Sequence, residues 1–299
     1  MGSYKSGFVA VIGRPNVGKS TLINHIIGQK IAIMSDKPQT TRSRIQCIFN
    51  MEGAQMIFLD TPGIHKPRHK LGEYMLKAAE GTLKEVDVIF FVVDATEKFG
   101  GGEKYIIERL KSTTKPVILV INKVDLIERE QTLPLIASYS EKFNFASIIP
   151  ISALDGTNVE NLILEAKKYL PEDVQYYPAD MVTDQPERLI VAELIREKIL
   201  HLTEDEVPHS VAVEVDEMKQ RNNGVTYIRA TIYVERESQK GIVIGKNGVM
   251  LKQVGQLARP EIEMLVGTRI FLDLWIKVKK NWRNSLGAIQ NFGLGSTND

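Results

Sequence analysis

Gly13-Arg14-Pro15-Asn16-Val17-Gly18-Lys19-Ser20 is the stretch on which the reading of this chain turns. A glycine, four residues and then Gly-Lys-Ser is a pattern with a mechanism. The glycines let the backbone curl so that successive N–H groups point inward at phosphate oxygens. A following helix adds partial positive charge at its N-terminus. The lysine reaches the outer phosphates, and the serine hydroxyl is a magnesium ligand. Context decides whether the pattern has this meaning. Phe8–Ile12, just before it, is a compact apolar run, and Thr21–Ile27, just after it, has helical periodicity. The loop therefore joins a strand to a helix, with Thr21 in the first helical turn.

Three later segments sit at the ends of apolar runs in the same way. Asp60-Thr61-Pro62-Gly63 follows the strand-like Gln55–Leu59. A carboxylate there can hold magnesium, directly or through water, and the Gly63 N–H can contact a terminal phosphate. Asn122-Lys123-Val124-Asp125 ends the apolar run Val117–Ile121. Asp125 only accepts hydrogen bonds. Guanine offers two adjacent donors on one edge where adenine offers an acceptor, so Asp125 discriminates between them. Ser152-Ala153-Leu154 follows Ser147–Ile151 and is placed to close over a base. All of these fall at the carboxyl ends of expected strands, where open α/β sheets bind ligands.

Further expected strands and helices are Val86–Val93, Glu103–Leu110 and Val159–Leu170. The alternation implies a mostly parallel sheet covered on both faces, an α/β fold. The pattern then changes. Pro171, Pro178 and Pro186 punctuate a stretch that reads as a linker. Leu189–Leu202 is an amphipathic helix. Val211–Val215 and Tyr227–Val234 read as strands joined across Asn222-Asn223-Gly224. Ile242–Ile244 and Leu251–Leu265 read as helices around Gly245-Lys246-Asn247-Gly248, and Ile270–Val278 as a last strand. The order helix, strand, strand, helix, helix, strand is an α+β module. The expected division is 1–173, a linker 174–188, a second domain 189–283 and a flexible tail 284–299.

Bulk properties agree with two soluble domains. The chain has 299 residues, 43% of them hydrophobic and 25% charged, with a formal net charge of +1. The near-zero total hides an imbalance: from Arg236 to Arg283 ten Lys/Arg face four acids. A basic stretch of this kind favours a polyanionic partner. The one cysteine, Cys47, makes an internal disulfide impossible and fits a reducing compartment. The first residues lack a signal-type apolar stretch. The longest apolar runs fall short of the ~20 residues of a membrane helix. A cytoplasmic location is expected.

The set of motifs resembles the Era family of small GTPases. The phosphate loop, Gln39-Thr40-Thr41-Arg42, Asp60–Gly63 with Ile64-His65-Lys66-Pro67 after it, Asn122–Asp125 and Ser152–Leu154 all match. The likeness continues through Gly241–Gly248 and Trp275–Lys280. It implies a phosphate-loop GTPase domain followed by a type II KH domain. It also implies hydrolysis of GTP to GDP with Mg2+ held by Ser20, Thr41 and Asp60. Thr41 is preferred to Thr40 as the switch threonine. Catalytic positions by resemblance are Asn16, Lys19, Thr41, Asp60 and Gly63. The implied partner is the 3′ end of 16S ribosomal RNA, with a role in small ribosomal subunit assembly. Peripheral association with the cell membrane and a monomeric state are expected too.

Two positions bear on chemistry. Where many small GTPases carry a water-orienting glutamine, this chain has Ile64, so intrinsic hydrolysis is expected to be slow. Asn16 matches a position that, in related GTPases, helps hold a K+ ion in place of an arginine finger; its plainer reading is loop shaping. In the second module, the glycine loop suits the approach of RNA phosphates, clamping about four nucleotides. Lys240, Ile242, Ile244, Lys246 and Lys252 flank it as candidate contacts, with core packing the alternative for the two isoleucines. Asn247 stands where the family has glycine, Val249 and Met250 where lysines are common, and Pro260 is expected to kink its helix. His65 and His69 are four apart but lack a carboxylate partner, which argues against a metal pair. Trp275 and Trp282 are read as base-stacking or core residues. The competing functions are a GTP-dependent tRNA-modifying enzyme, for which no further catalytic domain is present, and a protein-binding adaptor.

Overall fold

The computed structural model describes residues 4–37, 40–64, 69–222 and 224–294. By contacts it divides into two compact units. The first comprises residues 1–32, 41–67 and 73–184, and the second comprises 33–40, 68–72 and 185–299.

In the first unit the strands are β1 (Lys5–Gly13), β2 (Ile45–Met51), β3 (Ala54–Asp60), β4 (Val88–Asp94), β5 (Val117–Asn122) and β6 (Ser147–Pro150). They form one sheet in the order β2-β3-β1-β4-β5-β6. Every neighbouring pair is parallel except β2 with β3. The helices are α1 (Lys19–Ile27), α2 (Lys70–Glu85), α3 (Gly101–Leu110), α4 (Arg129–Ser140) and α5 (Val159–Tyr169). β3, β4 and β5 are buried along their whole length. Their valines, isoleucines and phenylalanines feed two cores, one on each face of the sheet. That is why these strands read as unbroken apolar runs rather than alternating ones.

The expected linker is tied down. Residues 174–183 run beside the edge strand β2 and supply partners that an edge lacks. The Ile48 amide donates to the Val182 carbonyl at 2.8 Å, and Thr183 Oγ1 to the Gln46 carbonyl at 2.6 Å. Gln55 Oε1 accepts from the Tyr176 and Tyr177 amides, both at 3.0 Å. The division between units falls after Asp184.

The second unit contains α6 (Glu187–Leu202), α7 (Val207–Ser210), β7 (Ala212–Gln220), β8 (Thr226–Val234), α8 (Glu237–Ile244), α9 (Val249–Val266), β9 (Ile270–Val278) and α10 (Leu286–Asn291). β7 pairs antiparallel with β8, and β8 parallel with β9. α6, α8 and α9 share one core with the sheet. The expected order of elements is present, and it is the type II KH arrangement.

α9 runs through Pro260 as one helix. Pro260 is exposed, while Val254, Ala258 and Ile262 anchor the opposite face. One expectation is corrected. The tail is not loose as far as Leu294. Ser285 caps α10, Ala288 and Ile289 are buried, and Phe292 meets Trp282 edge-on at 5.2 Å. Trp282 is fully buried and its Nε1 donates to the Ser210 carbonyl at 2.8 Å, which satisfies the polar handle of a core tryptophan.

Candidate functional site

β1 delivers the phosphate loop to the carboxyl edge of the sheet, between β3 and β4. Gly18, at φ +97°, turns the chain into α1, and a Cβ there would lie 2.2 Å from Asn122 Nδ2. Only glycine combines that backbone with that proximity. Asn122, itself buried, uses both ends of its amide. Its Nδ2 donates to the Val17 carbonyl at 2.8 Å, and its Oδ1 accepts from the Ala153 amide at 2.9 Å. One side chain thus ties the phosphate loop to the Ser152–Leu154 segment.

Lys19 is 6% exposed. Its ammonium donates to the Arg14 carbonyl at 2.7 Å and the Gly13 carbonyl at 3.3 Å. Burial lowers its pKa to about 8, with Asp60 acting in the other direction. Asp60 is fully buried, and burial raises its pKa against the pull of Lys19. Ser20 Oγ donates to Asp60 Oδ2 at 2.8 Å, Thr41 Oγ1 donates to the same oxygen at 3.2 Å, and the two hydroxyls lie 3.1 Å apart. Asp60 Oδ1 has no hydrogen-bond partner among the described residues. Two hydroxyls and a carboxylate with an orphaned buried oxygen make a hard, all-oxygen donor set, which fits Mg2+. The buried ammonium beside it is suited to phosphate oxygens.

Among the remaining sequence candidates, Arg14 points its guanidinium at Glu97 and at Glu103, the latter at 2.9 Å. The hydrogen bond to Glu103 leads in raising its pKa. Arg14 thus offers the loop its backbone, not its charge. Pro15 packs against Gly63, and Asn16 takes a positive φ of 65°. Thr61 is buried and donates to the Val11 carbonyl at 2.8 Å, a bond within the fold. Pro62 is buried. Ile64 is turned into the core, and its amide is taken by the Gly13 carbonyl at 3.2 Å. By its side chain it is therefore a packing residue, as suits an aliphatic group better buried beside the sheet than solvated. Val124 and Asp125 lie in a single helical turn, with Asp125 exposed. Lys123 pairs with Asp94 Oδ2 at 2.5 Å. Burial of Asp94 opposes ionisation, but bonds from Lys123 and Thr96 outweigh it and lower the pKa. Ser152 and Ala153 are buried and Leu154 is 78% exposed. Asp94, Glu97 and Glu103 escaped the sequence reading. Asp94 ends β4 and was open to the same strand-end argument; the two glutamates carried no motif.

In the second unit, Gly245 has φ +72°, and a Cβ there would lie 2.7 Å from Met250 Cβ. Lys246–Gly248 form one tight turn into α9. Asn247 takes φ +53°, ψ +28°, the left-handed conformation that asparagine tolerates better than most residues. Its departure from glycine therefore leaves the loop's shape intact. Ile242 is half exposed and Ile244 half-buried, while Val243 between them is fully buried. The core role belongs to Val243, which leaves the isoleucines beside the loop. Lys246 and Lys252 are exposed and Lys240 half-buried. Trp275 is exposed and Trp282 is core. Gln39, His65, Lys66, Pro67 and Asn223 lie outside the described residues, as do 295–299. Among the described residues no cluster of three His, Cys, Asp or Glu is arranged for a metal ion, and no helix is long and apolar enough to cross a membrane.

This fold and these loops define a phosphate-loop GTPase joined to a KH module. Residues 8–123 match the family model described as a 50S ribosome-binding GTPase, and residues 206–283 match that of the KH domain. A variant of Aquifex aeolicus Era, solved bound to GDP·AlF4−, is similar at 43% identity and a TM-score of 0.95. The match covers 98% of this chain and 100% of that one. An Era protein solved with MgGDPNP and nucleotides 1506–1542 of 16S ribosomal RNA is similar at 44% identity and a TM-score of 0.96, over the same shares of the two chains. The chain belongs to the Era family of GTPases.

Proposed function

We propose that this GTPase binds the 3′ end of 16S ribosomal RNA through its KH module and acts as a GTP-hydrolysing switch in small ribosomal subunit assembly. The observation that carries the switch is the Ser20–Thr41–Asp60 cluster with its orphaned carboxylate oxygen beside buried Lys19. The RNA partner is supported by the glycine loop, its flanking lysines, the basic stretch Arg236–Arg283 and the RNA held by the Era relative.

In this reading the loop amides of Gly13–Ser20 and the Lys19 ammonium hold the β- and γ-phosphates and stabilise charge as the terminal phosphoryl leaves. Bound Mg2+ would neutralise the phosphate oxygens. Ser20 and Thr41 would ligate it, with Asp60 holding it directly or through water. Gly63 senses the terminal phosphate through its backbone. Asp125 reads guanine, and Asn122 locks that loop to the phosphate loop. Ile64 orients no water, so Asn16 is assigned the potassium site that supplies the missing positive charge. The chain works as a monomer in the cytoplasm, with peripheral contact at the membrane.

The test is GTP hydrolysis with and without a single-stranded RNA matching the small-subunit 3′ end, at about 150 mM K+. Magnesium-dependent turnover and saturable RNA binding are expected. An RNA of scrambled sequence bound equally well would remove the 16S assignment and leave the GTPase.

A further inference from the structure

Arg14, the second residue of the phosphate loop, reaches across to the start of α3, within the first unit. Its Nη1 donates to Glu103 Oε1 at 2.9 Å and also to Glu97. Glu103 is 2% exposed and divides its carboxylate. Oε1 takes the guanidinium, while Oε2 accepts from the Gly100 amide at 3.0 Å and so caps α3. Gly102 makes room for the link, because a Cβ there would lie 2.6 Å from Arg14 Cδ. Glycine within a helix costs stability relative to alanine. Here the space it leaves is filled by the arginine stem.

The pairing goes beyond what the helix cap requires. Glutamine would accept from the Gly100 amide equally well, without the cost of burying a charge. A buried carboxylate is tolerated here because Arg14 compensates it, and loss of either partner would strand the other. The backbone of Arg14 faces the site. Its carbonyl accepts from the Lys19 ammonium at 2.7 Å, the shorter of that group's two bonds to the loop. Side chain and carbonyl branch from one Cα, so pinning the guanidinium limits where the carbonyl can turn. Pro15 limits it further, because a residue before proline is steered to extended conformations. Pro15 is itself packed against Gly63, where a Cβ would lie 2.8 Å from the Pro15 nitrogen.

We infer that Arg14 and Glu103 are positioning residues for nucleotide binding: anchored to α3, Arg14 keeps its carbonyl on the Lys19 ammonium before the phosphates arrive. The inference rests on the reading of Lys19 as a phosphate ligand. Neither the Arg14 guanidinium nor the Glu103 carboxylate is assigned a contact with nucleotide. What the pair supplies is preorganisation, since a loop already held in its binding shape need not be ordered when the ligand enters.

The experiment uses the full chain with Arg14→Met, Glu103→Gln, the two combined, and Lys19→Ala. It reads the affinities of fluorescent GDP and of a fluorescent non-hydrolysable GTP analogue, the preference for GTP over XTP, and thermal unfolding without nucleotide. Arg14→Met should weaken both nucleotides by about tenfold, the scale of one loop segment left to be ordered on binding. The factor should be the same for the two, because the β-phosphate that the lysine serves is present in both. Preference for guanine should not move. The combined variant should lose no more than the larger single loss, since both substitutions break one tie. A lower unfolding temperature with unchanged affinity would make the pair a structural feature only and overturn the inference, provided Lys19→Ala loses nucleotide. Unchanged affinity in Lys19→Ala would instead overturn the reading of the lysine. Should Arg14→Met fail to fold because Glu103 is left buried and unpaired, the combined variant removes both charges and must show the tenfold loss.

Discussion

Gly13–Ser20 and Gly245–Gly248 are both glycine loops that open a helix, and they differ in how they keep their lysine. Lys19 is buried, held by two backbone carbonyls, with its pKa lowered to about 8 by burial. Lys246 is exposed, with Lys252 exposed nearby. A buried ammonium and a buried carboxylate in fixed positions are selective, because only a ligand of matching charge pattern and shape can join them without leaving a buried charge uncompensated. An exposed lysine beside a glycine turn suits any run of phosphates and works through a field that salt screens. On the proposed function, the same backbone device would serve selectivity in one unit and polyanion capture in the other.

The largest test of that contrast is Lys19→Ala. Loss of the buried charge should weaken GTP binding by about 10³-fold, in the range seen when a preorganised site loses a key donor. RNA affinity at the second loop should stay unchanged, as read by nucleotide titration and RNA gel shift on one preparation. A comparable loss at both sites would mean that the loops are not independent.

Asp125→Asn sharpens the selective side. The amide replaces two acceptor oxygens with one acceptor oxygen and one donor nitrogen, so preference should move from guanine toward xanthine nucleotides by about 10²-fold or more. Competition between GTP and XTP measures it, and unchanged guanine preference would show that Asp125 does not face the base.

The other loop should respond to salt. If it neutralises about four phosphates of single-stranded RNA, raising salt from about 50 to 200 mM should weaken binding by about 50-fold. Gly245→Asp should cost about tenfold more at fixed salt, through the added charge and the positive φ. Its GTP affinity should be that of the unaltered chain. RNA binding that ignores salt would favour an adaptor surface over a phosphate clamp.

The smallest effect expected is the ion effect assigned to Asn16. Turnover in K+ should exceed that in Na+ by about tenfold, since a fixed cation stabilises charge developing on the transferred phosphoryl. Equal rates would return Asn16 to shaping the loop.

Much of this site was legible before the fold was known, for a physical reason. The phosphate loop, Asp60–Gly63 and Asn122–Asp125 are contiguous runs at strand ends, so their placement could be read from the sequence directly. The KH order was legible because each element has its own period. What stayed hidden depends on partners distant in sequence. Ile64 reads as part of a ligand motif, yet the core claims it. Arg14 sits in the phosphate loop, yet Glu103 claims its charge. α10 escaped because six residues are too few to display a period, and its burial comes from Trp282 and Phe292 meeting across the chain.

Competition of GTP and ATP for the purified, magnesium-loaded protein tests the central claim most directly. The arrangement of Lys19, the Ser20–Thr41–Asp60 cluster and Asp125 predicts that ATP, even in about 10³-fold excess, fails to displace GTP. Displacement of GTP by an equal concentration of ATP would contradict it.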